Sequence, residues 1–479
     1  MASRQILIDG VWTAAASDDT IAVFGPSDGK EIARIARGGS DDIDRAVRAA
    51  RRAFEGVWGA TAAVDRGRRL SRLSTLITDN FDELAGIEAA DTGKPMKQAR
   101  NDIAACARYF EFYGGAADKL HGDTIPFLTG YQVMILREPR GVTGHIIPWN
   151  YPAQMFGRTI GGSLAAGNAA VMKPAEEACL SVLRLAELAL EAGIPPGVIN
   201  VVTGLGEEAG AALTSHPGID FLSFTGSPEV GTLVSQAAAV HHVPCTLELG
   251  GKSPQIVFAD ADQEKAAAVV TNAIVQNAGQ TCSAGSRVLV QRSIYEPFMA
   301  TLAERFGRLT VGPHDLDLDC GPLITAKQKT RVEGFLRNAA AENIAAVATG
   351  TIDRRAPGGG YYVAPTLYTM VPEANALARD EVFGPVLAAI PFDDEAAAIR
   401  IANGTDYGLV AGIWTENGAR QMRMAKGVRS GQVFINGYGA GGGIELPFGG
   451  FRRSGHGREK GMEALNEFTV AKTVVFNHG

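Results

Sequence analysis

The chain has 479 residues, with 45 Lys and Arg against 52 Asp and Glu and a formal charge of −7. At roughly 150 residues per domain that is about three folding units, enough to bury a large core. The mildly acidic balance gives no basic footprint for nucleic acid or an anionic membrane. No apolar run reaches the roughly 18 residues of a membrane helix, and the opening MASRQILIDGVW has no apolar signal segment. Glycine is in excess, 58 residues or about 12% against a usual 7%, which marks places where backbone turns tightly or approaches a ligand.

In chain order, Asp9-Gly10 between Ile6-Leu7-Ile8 and Val11-Trp12 predicts an N-terminal hairpin. Ser40 reads as the cap of a helix beginning DDIDRAV, and amphipathic helical runs continue to about residue 115. Short strands then alternate with helices: strands at 144–148, 169–173, 199–203, 221–225 and 246–250, helices at about 152–165, 179–192, 207–215 and 228–239. A second alternating series follows from Gly250, with strands at 254–259, 286–291, 386–392, 409–415 and 432–436. Such alternation predicts an α/β fold with two open, mainly parallel sheets, each covered on both faces. The tail TVAKTVVF (469–476) alternates like an edge strand, with YQVMILRE (131–138) as its expected partner. Belonging to neither sheet, this pair either closes a local sheet or joins a second subunit.

Five cysteines, an odd number with no CxxC pair, argue against a disulfide framework or a clustered zinc site, and fit a reducing cytoplasm. Cys106, Cys179, Cys245 and Cys320 sit in helix, strand or turn settings that suit a small buried hydrophobe. Cys282 differs, lying in the short-side-chain loop Gly279-Gln280-Thr281-Cys282-Ser283-Ala284-Gly285, where a reactive and a structural thiol are equally consistent. The dinucleotide fingerprint GxGxxG is met only loosely, by Gly204-Leu205-Gly206-Glu207-Glu208-Ala209-Gly210. Glutamates there occupy a helix start where a phosphate wants positive potential, so a tight strand–helix turn is the simpler reading. Phe224-Thr225-Gly226-Ser227, before Pro228, is either a pyrophosphate cradle with free backbone N–H groups or a plain helix cap. Lys173 and Glu176, at another strand end, are either ribose ligands or solvated charges.

Taken together and in order, Pro148-Trp149-Asn150-Tyr151-Pro152, Lys173-Pro174, Phe224-Thr225-Gly226-Ser227, Leu247-Glu248-Leu249-Gly250-Gly251-Lys252, Gly279-Gln280-Thr281-Cys282, Glu381-Val382-Phe383-Gly384-Pro385 and Pro447-Phe448-Gly449-Gly450 resemble the NAD(P)-dependent aldehyde dehydrogenase superfamily, of the non-phosphorylating, hydrolytic type. The resemblance covers essentially the whole chain. It implies a Rossmann-like NAD-binding domain (1–118 and 140–249), a catalytic domain (250–450) and a small β oligomerisation segment (119–139 and 460–479), in a homodimer or homotetramer. It implies Cys282 as nucleophile, Asn150 beside the Cys282 N–H as oxyanion donor, and Glu248 as the base that activates water on a thioester. Trp149, Lys173, Glu176, Gly226, Ser227, Glu381 and Phe383 become NAD contacts, and a carboxylate at Glu176 favours NAD over NADP by repelling a 2′-phosphate. Glu248 speaks against the coenzyme A-acylating variant, which needs no water-activating base. A cofactor-free thioesterase would need a histidine near Cys282, and none lies near it in sequence. By the resemblance the glycine-rich run 439–443 borders the aldehyde entrance, as either a wide or mobile mouth or a plain flexible loop. No cluster of Arg or Lys beside the motifs calls for a carboxylated substrate.

Overall fold

The computed structural model describes residues 5–439 and 443–479. Its first sheet has eight strands in the order Val11–Thr13, Ile6–Ile8, Ile199–Val201, Ala169–Pro174, Val142–Ile147, Phe221–Thr225, Cys245–Glu248 and Gly455–His456. The five strands from Ile199–Val201 to Cys245–Glu248 run parallel, and the flanking strands pair antiparallel. The expected hairpin at Asp9-Gly10 forms and extends this sheet at one edge. Successive residues of one strand enter opposite cores: Ala170 and Met172 join the cluster containing Phe110, Phe156 and Leu185, whereas Ala169 and Val171 join Ile43, Val47 and Leu213 on the other face. Two-sided burial explains why these strands read as continuous apolar runs.

The second sheet has seven strands, ordered Ala346–Thr349, Thr366–Tyr368, Val386–Phe392, Arg287–Gln291, Pro254–Val257, Val410–Trp414 and Gln432–Ile435. All its pairings are parallel except that of Ala346–Thr349. Leu289 faces one core and Val288 and Val290 the other. Tail strand Thr469–Asn477 pairs antiparallel with Tyr131–Pro139 along nine residue pairs, from Thr469 opposite Pro139 to Asn477 opposite Tyr131. Asp123–Ile125 adds a third strand beyond Tyr131–Pro139, leaving the outer edge of Thr469–Asn477 unpaired among the described residues.

One local expectation needs correction, at Ser40, while the glycine stretch 204–210 takes the simpler form expected of it. Ser40 is the first residue of the helix Ser40–Ala53, with Gly39 at the cap position. The buried Asp42 carboxylate accepts the Gly39 N–H at 3.1 Å and the Ala16 N–H at 3.1 Å, a third-residue acid doing the capping from inside the helix. The loose GxGxxG stretch is a tight helical turn at Gly206–Gly210, and its Glu208 pairs with Arg37 at 2.5 Å, so it presents no phosphate site.

Strand order places the crevice. The chain leaves Val142–Ile147 toward Ala169–Pro174 on one side and later returns to Phe221–Thr225 on the other. The carboxyl ends of Val142–Ile147 and Phe221–Thr225 therefore flank a topological switch point, where α/β sheets bind ligands. Pro148-Trp149-Asn150 follows one end and Gly226-Ser227 the other. The amino ends of the second sheet's strands face this crevice with Cys282, Glu381, Phe383 and Tyr407.

Candidate active site

A cavity of about 550 Å³ lies between the two sheets, lined by Trp149, Asn150, Thr225, Gly226, Ser227, Glu248, Cys282, Glu381 and Phe383, among others. Eight of the ten site residues expected from sequence are gathered here with the helix start at Pro228, and the other two, Lys173 and Glu176, are not on its wall.

The thiol loop is held by backbone geometry. Helix Gln263–Val275 ends, and Asn277, Ala278 and Gly279 then take left-handed conformations at φ 47°, 52° and 74°. At Gly279 a Cβ would lie 2.1 Å from the Gly384 carbonyl oxygen, so only glycine fits. At Gly251 a Cβ would lie 2.3 Å from the Cys282 carbonyl oxygen. Side chains fix both flanks: Tyr151 Oη meets Thr281 Oγ1 at 2.7 Å, and Tyr438 Oη donates to the Ser283 carbonyl at 2.5 Å.

Asn150 is buried, and its Nδ2 donates to the Gln280 carbonyl at 2.9 Å. One of the two amide hydrogens is thereby used for orientation, which leaves the second for a ligand. The Asn150 carbonyl accepts from Lys94 Nζ at 2.9 Å and from Asn277 Nδ2 at 3.0 Å. Lys94 is wholly buried, pairs with Asp102 and with Glu88 at 3.3 Å, and lies 4.4 Å from the Tyr151 ring centroid. Burial raises the Asp102 carboxyl to about 6, against the pull of Lys94.

Glu248 ends its strand 2% exposed, and among the described residues neither carboxylate oxygen has a hydrogen-bond partner. The nearest cation is Arg158, whose Nη2 stands 3.6 Å away while its Nε lies 2.5 Å from Glu459. Desolvation raises the Glu248 carboxyl well above the usual carboxylate range; Arg158 opposes this and Glu459 adds to it. Burial pushes the Cys282 thiol up to about 12, with Arg158 pulling down and Glu248 pushing up. Burial thus disfavours the ionised form of both groups, the thiol and the carboxyl beside it. The thiols of Cys106, Cys179 and Cys320 are fully buried and pushed up, as suits structural cysteines.

On the cofactor side, Glu381 Oε1 accepts the Gly251 N–H at 2.8 Å, and burial raises its carboxyl to about 7. Phe383 has a left-handed backbone at φ 57° and meets Trp149 edge-to-face at 5.5 Å. Ser227 caps the helix Pro228–Val240 by accepting the Val230 N–H at 3.3 Å. The Gly226 N–H is not free as expected, for it donates to the Glu248 carbonyl at 3.1 Å. Lys173 Nζ is buried against Glu176 at 2.5 Å, and Glu176 lines a shallower cleft that shares Glu177 and Thr325 with the main cavity. NAD fits this side: Thr225 Oγ1 is buried at the strand end with no partner among the described residues, beside the positive end of a 13-residue helix. Among the described residues no cluster of His, Cys, Asp and Glu could hold a metal, and no helix is long and apolar enough to cross a membrane.

Sequence reasoning passes over Lys94, Arg158 and Lys460, all brought to or beneath the site by the fold. Arg158 did carry a signal, as the only charged residue in the helix Pro152–Ala166. Of the glycine run 439–443, residues 440–442 lie outside the described residues, and Gly443 has φ 71°.

The geometry predicts how the thiol reacts before cofactor binds. Alkylation of Cys282 by iodoacetamide should keep accelerating beyond about pH 10, where an ordinary thiol of pKa about 8.5 is almost wholly ionised. A rate that levels off by about pH 10 would contradict a thiol pushed up by its surroundings.

The aldehyde dehydrogenase family model matches residues 12–474. The mitochondrial aldehyde dehydrogenase family 2 member B4 of Arabidopsis thaliana is 42% identical over 98% of this chain and 88% of its own length. Mitochondrial benzaldehyde dehydrogenase of Antirrhinum majus is likewise 42% identical, over 98% of this chain and 88% of its own. Among solved structures, a putative aldehyde dehydrogenase from Burkholderia cenocepacia superimposes with TM-score 0.99 at 63% identity, covering 99% of this chain and 100% of that one. Betaine aldehyde dehydrogenase from Staphylococcus aureus, in complex with NAD+, gives 0.97 at 35% identity, covering 100% of this chain and 95% of that one.

Proposed function

The chain belongs to the aldehyde dehydrogenase family, an NAD-dependent oxidoreductase that converts an aldehyde to a carboxylic acid, and from that premise we propose that Cys282, Asn150 and Glu248 divide the chemistry. One observation carries the assignment: a half-buried thiol, an oriented amide with an unspent hydrogen and a carboxylate without hydrogen bonds line a single cavity. Once deprotonated, Cys282 Sγ bonds to the aldehyde carbon and the carbonyl electrons move onto oxygen. Asn150 Nδ2 and the Cys282 N–H donate to that oxyanion, each such donor being worth about 3–4 kcal/mol of barrier. NAD, when bound, supplies the hydride acceptor. The acyl group then sits on Cys282 as a thioester. Glu248 takes a proton from water, the water oxygen bonds to the acyl carbon, and the C–S bond breaks to release the acid. A carboxyl raised by burial suits this task, because its conjugate base is stronger than an exposed glutamate.

For the cofactor, Trp149, Thr225, Gly226 and Ser227 would hold the pyrophosphate end, Glu381 and Phe383 the nicotinamide end, and Lys173 with Glu176 the adenosine ribose. Glu176 supports a preference for NAD, since its carboxylate accepts from a ribose hydroxyl and repels a phosphate. We assign residues 1–118 with 140–249 to cofactor binding, 250–450 to catalysis, and the open edge of Thr469–Asn477 to pairing with a second copy. A dimer or tetramer mass by light scattering checks the last point, and a monomer refutes it.

Cys282→Ala should abolish NADH formation from any aldehyde. Glu248→Gln should retain a rapid first turnover and lose steady-state rate by about 10²–10⁴-fold, the usual worth of a general base; a stopped-flow trace with no burst would move Glu248 to an earlier step. Glu176→Gln should narrow the ratio of kcat/KM with NAD to that with NADP by about tenfold, and an unchanged ratio would remove Glu176 from cofactor selection.

A further inference from the structure

One buried cation takes no part in the chemistry of Cys282, Asn150 and Glu248. Lys94 lies in the loop between the helices Phe81–Thr92 and Met96–Ala116, its side chain wholly buried and not on the cavity wall. An ammonium has three N–H groups, and here all three are engaged: with the Asp102 carboxylate, with Glu88 Oε1 at 3.3 Å and with the Asn150 carbonyl at 2.9 Å. The two carboxylates are themselves held, Glu88 by Ser181 Oγ at 2.6 Å and Asp102 by Gln154 Nε2 at 2.6 Å. The ammonium therefore cannot turn or slide without giving up a charge-assisted hydrogen bond.

Two segments of the active site rest on this one nitrogen. The first is Asn150, whose carbonyl accepts from it and whose Nδ2 reaches the Gln280 carbonyl at 2.9 Å. The second is the thiol loop. The Tyr151 ring centroid lies 4.4 Å from Lys94 Nζ, a cation–π contact, and the Tyr151 hydroxyl meets Thr281 Oγ1, one residue before Cys282, at 2.7 Å. The helix that follows Lys94 supports the loop again, because Gln98 Oε1 accepts the Asn277 N–H at 2.8 Å. Burial of the ammonium requires its carboxylate partners, but it does not require the third bond. That bond goes to a neutral carbonyl which Asn277 Nδ2 already serves at 3.0 Å.

We propose that Lys94, with Tyr151 against it, is a positioning strut that holds the Asn150 amide and the Cys282 thiol in register, so that its loss slows attack on the aldehyde without weakening NAD binding. This rests on the reading of Cys282 as nucleophile and Asn150 as oxyanion donor. Lys94 acts only through Asn150 and Tyr151. A misplacement of about 1 Å between reacting groups costs about 10²-fold in rate, which sets the scale of the effect.

The test is single-turnover NADH formation at saturating NAD, with enzyme in saturating excess over the fastest of propanal, hexanal and benzaldehyde. Lys94→Met should lower the single-turnover rate constant about 10²-fold. Tyr151→Phe, which removes only the hydroxyl that holds Thr281, should lower it about fivefold, the usual worth of one hydrogen bond. NAD affinity, read by quenching of protein fluorescence, should match the parent's in both. With sites in excess, a misfolded fraction leaves the rate constant unchanged, so a merely structural lysine would not move it. In an Asn150→Ala background Lys94→Met should cost no more than Tyr151→Phe does, since the amide it orients is gone. Tyr151→Phe leaves the ion cluster whole and decides the matter where Lys94→Met does not fold. A parental rate constant in Tyr151→Phe, or the same loss from Lys94→Met with and without the Asn150 side chain, would overturn the inference while leaving the aldehyde oxidation intact. NADH from none of the three aldehydes, or Asn150→Ala as fast as the parent, would overturn the reading of the active site itself, and the strut with it.

Discussion

The hydrogen bond from Asn150 Nδ2 to the Gln280 carbonyl joins the carboxyl end of one sheet to the thiol loop at the amino end of the other. Its two ends belong to separately packed cores, so this contact fixes how the amide and the thiol face each other. The bond is held in place because the Asn150 backbone carbonyl is itself pinned from below by Lys94 and Asn277. Lys94 is in turn committed to Glu88 and Asp102. A buried ion cluster of this kind is poor as a source of stability but costly to break, since removing one partner leaves uncompensated charge, a loss of about 3–5 kcal/mol. The Asn150 amide is therefore oriented by charges that cannot relax without large expense.

Electrostatics within the cavity follow from the same burial. Glu248 has no hydrogen-bond donor among the described residues, Arg158 stands within 4 Å of it, and Glu459 holds Arg158 while accepting from Ser223 Oγ at 2.8 Å. Were Arg158 fully committed to Glu248, the carboxyl would be a weak base; with Glu459 drawing the guanidinium away, it stays a stronger one. Two acids and one base thus share a geometry in which the shorter ion pair leaves the functional acid poised. The thiol responds to the same field.

The repeating strands were legible in sequence because two-sided burial leaves uninterrupted apolar runs, as in Ala169–Pro174 and Val386–Phe392. So was the tail's pairing with Tyr131–Pro139, where alternation signals a one-sided strand. Cys282, Glu248 and Asn150 stood out through motif order, each sitting in a loop or at a strand end. What stayed hidden depends on contacts across long sequence separations: Arg158 with Glu459 is a pairing over 301 positions, and Lys460 reaches the thiol through a backbone turn that no local pattern encodes. Capping at Gly39 was misread for a simpler reason, because an acid inside the first turn can replace a side chain at the cap itself.

The close approaches at Gly251 and Gly279 bear on how this catalyst can change. The thiol's position is set by main chain resting on main chain, at the Cys282 and Gly384 carbonyls. Side-chain replacement elsewhere has little leverage over a contact of that kind. New substrate ranges are accordingly reached by altering the far wall, at Tyr109, Met155, Phe448 and Lys460, while the reacting centre remains where it is. The fold separates an invariant anvil from an exchangeable jig, and the excess of glycine is what the anvil is made of.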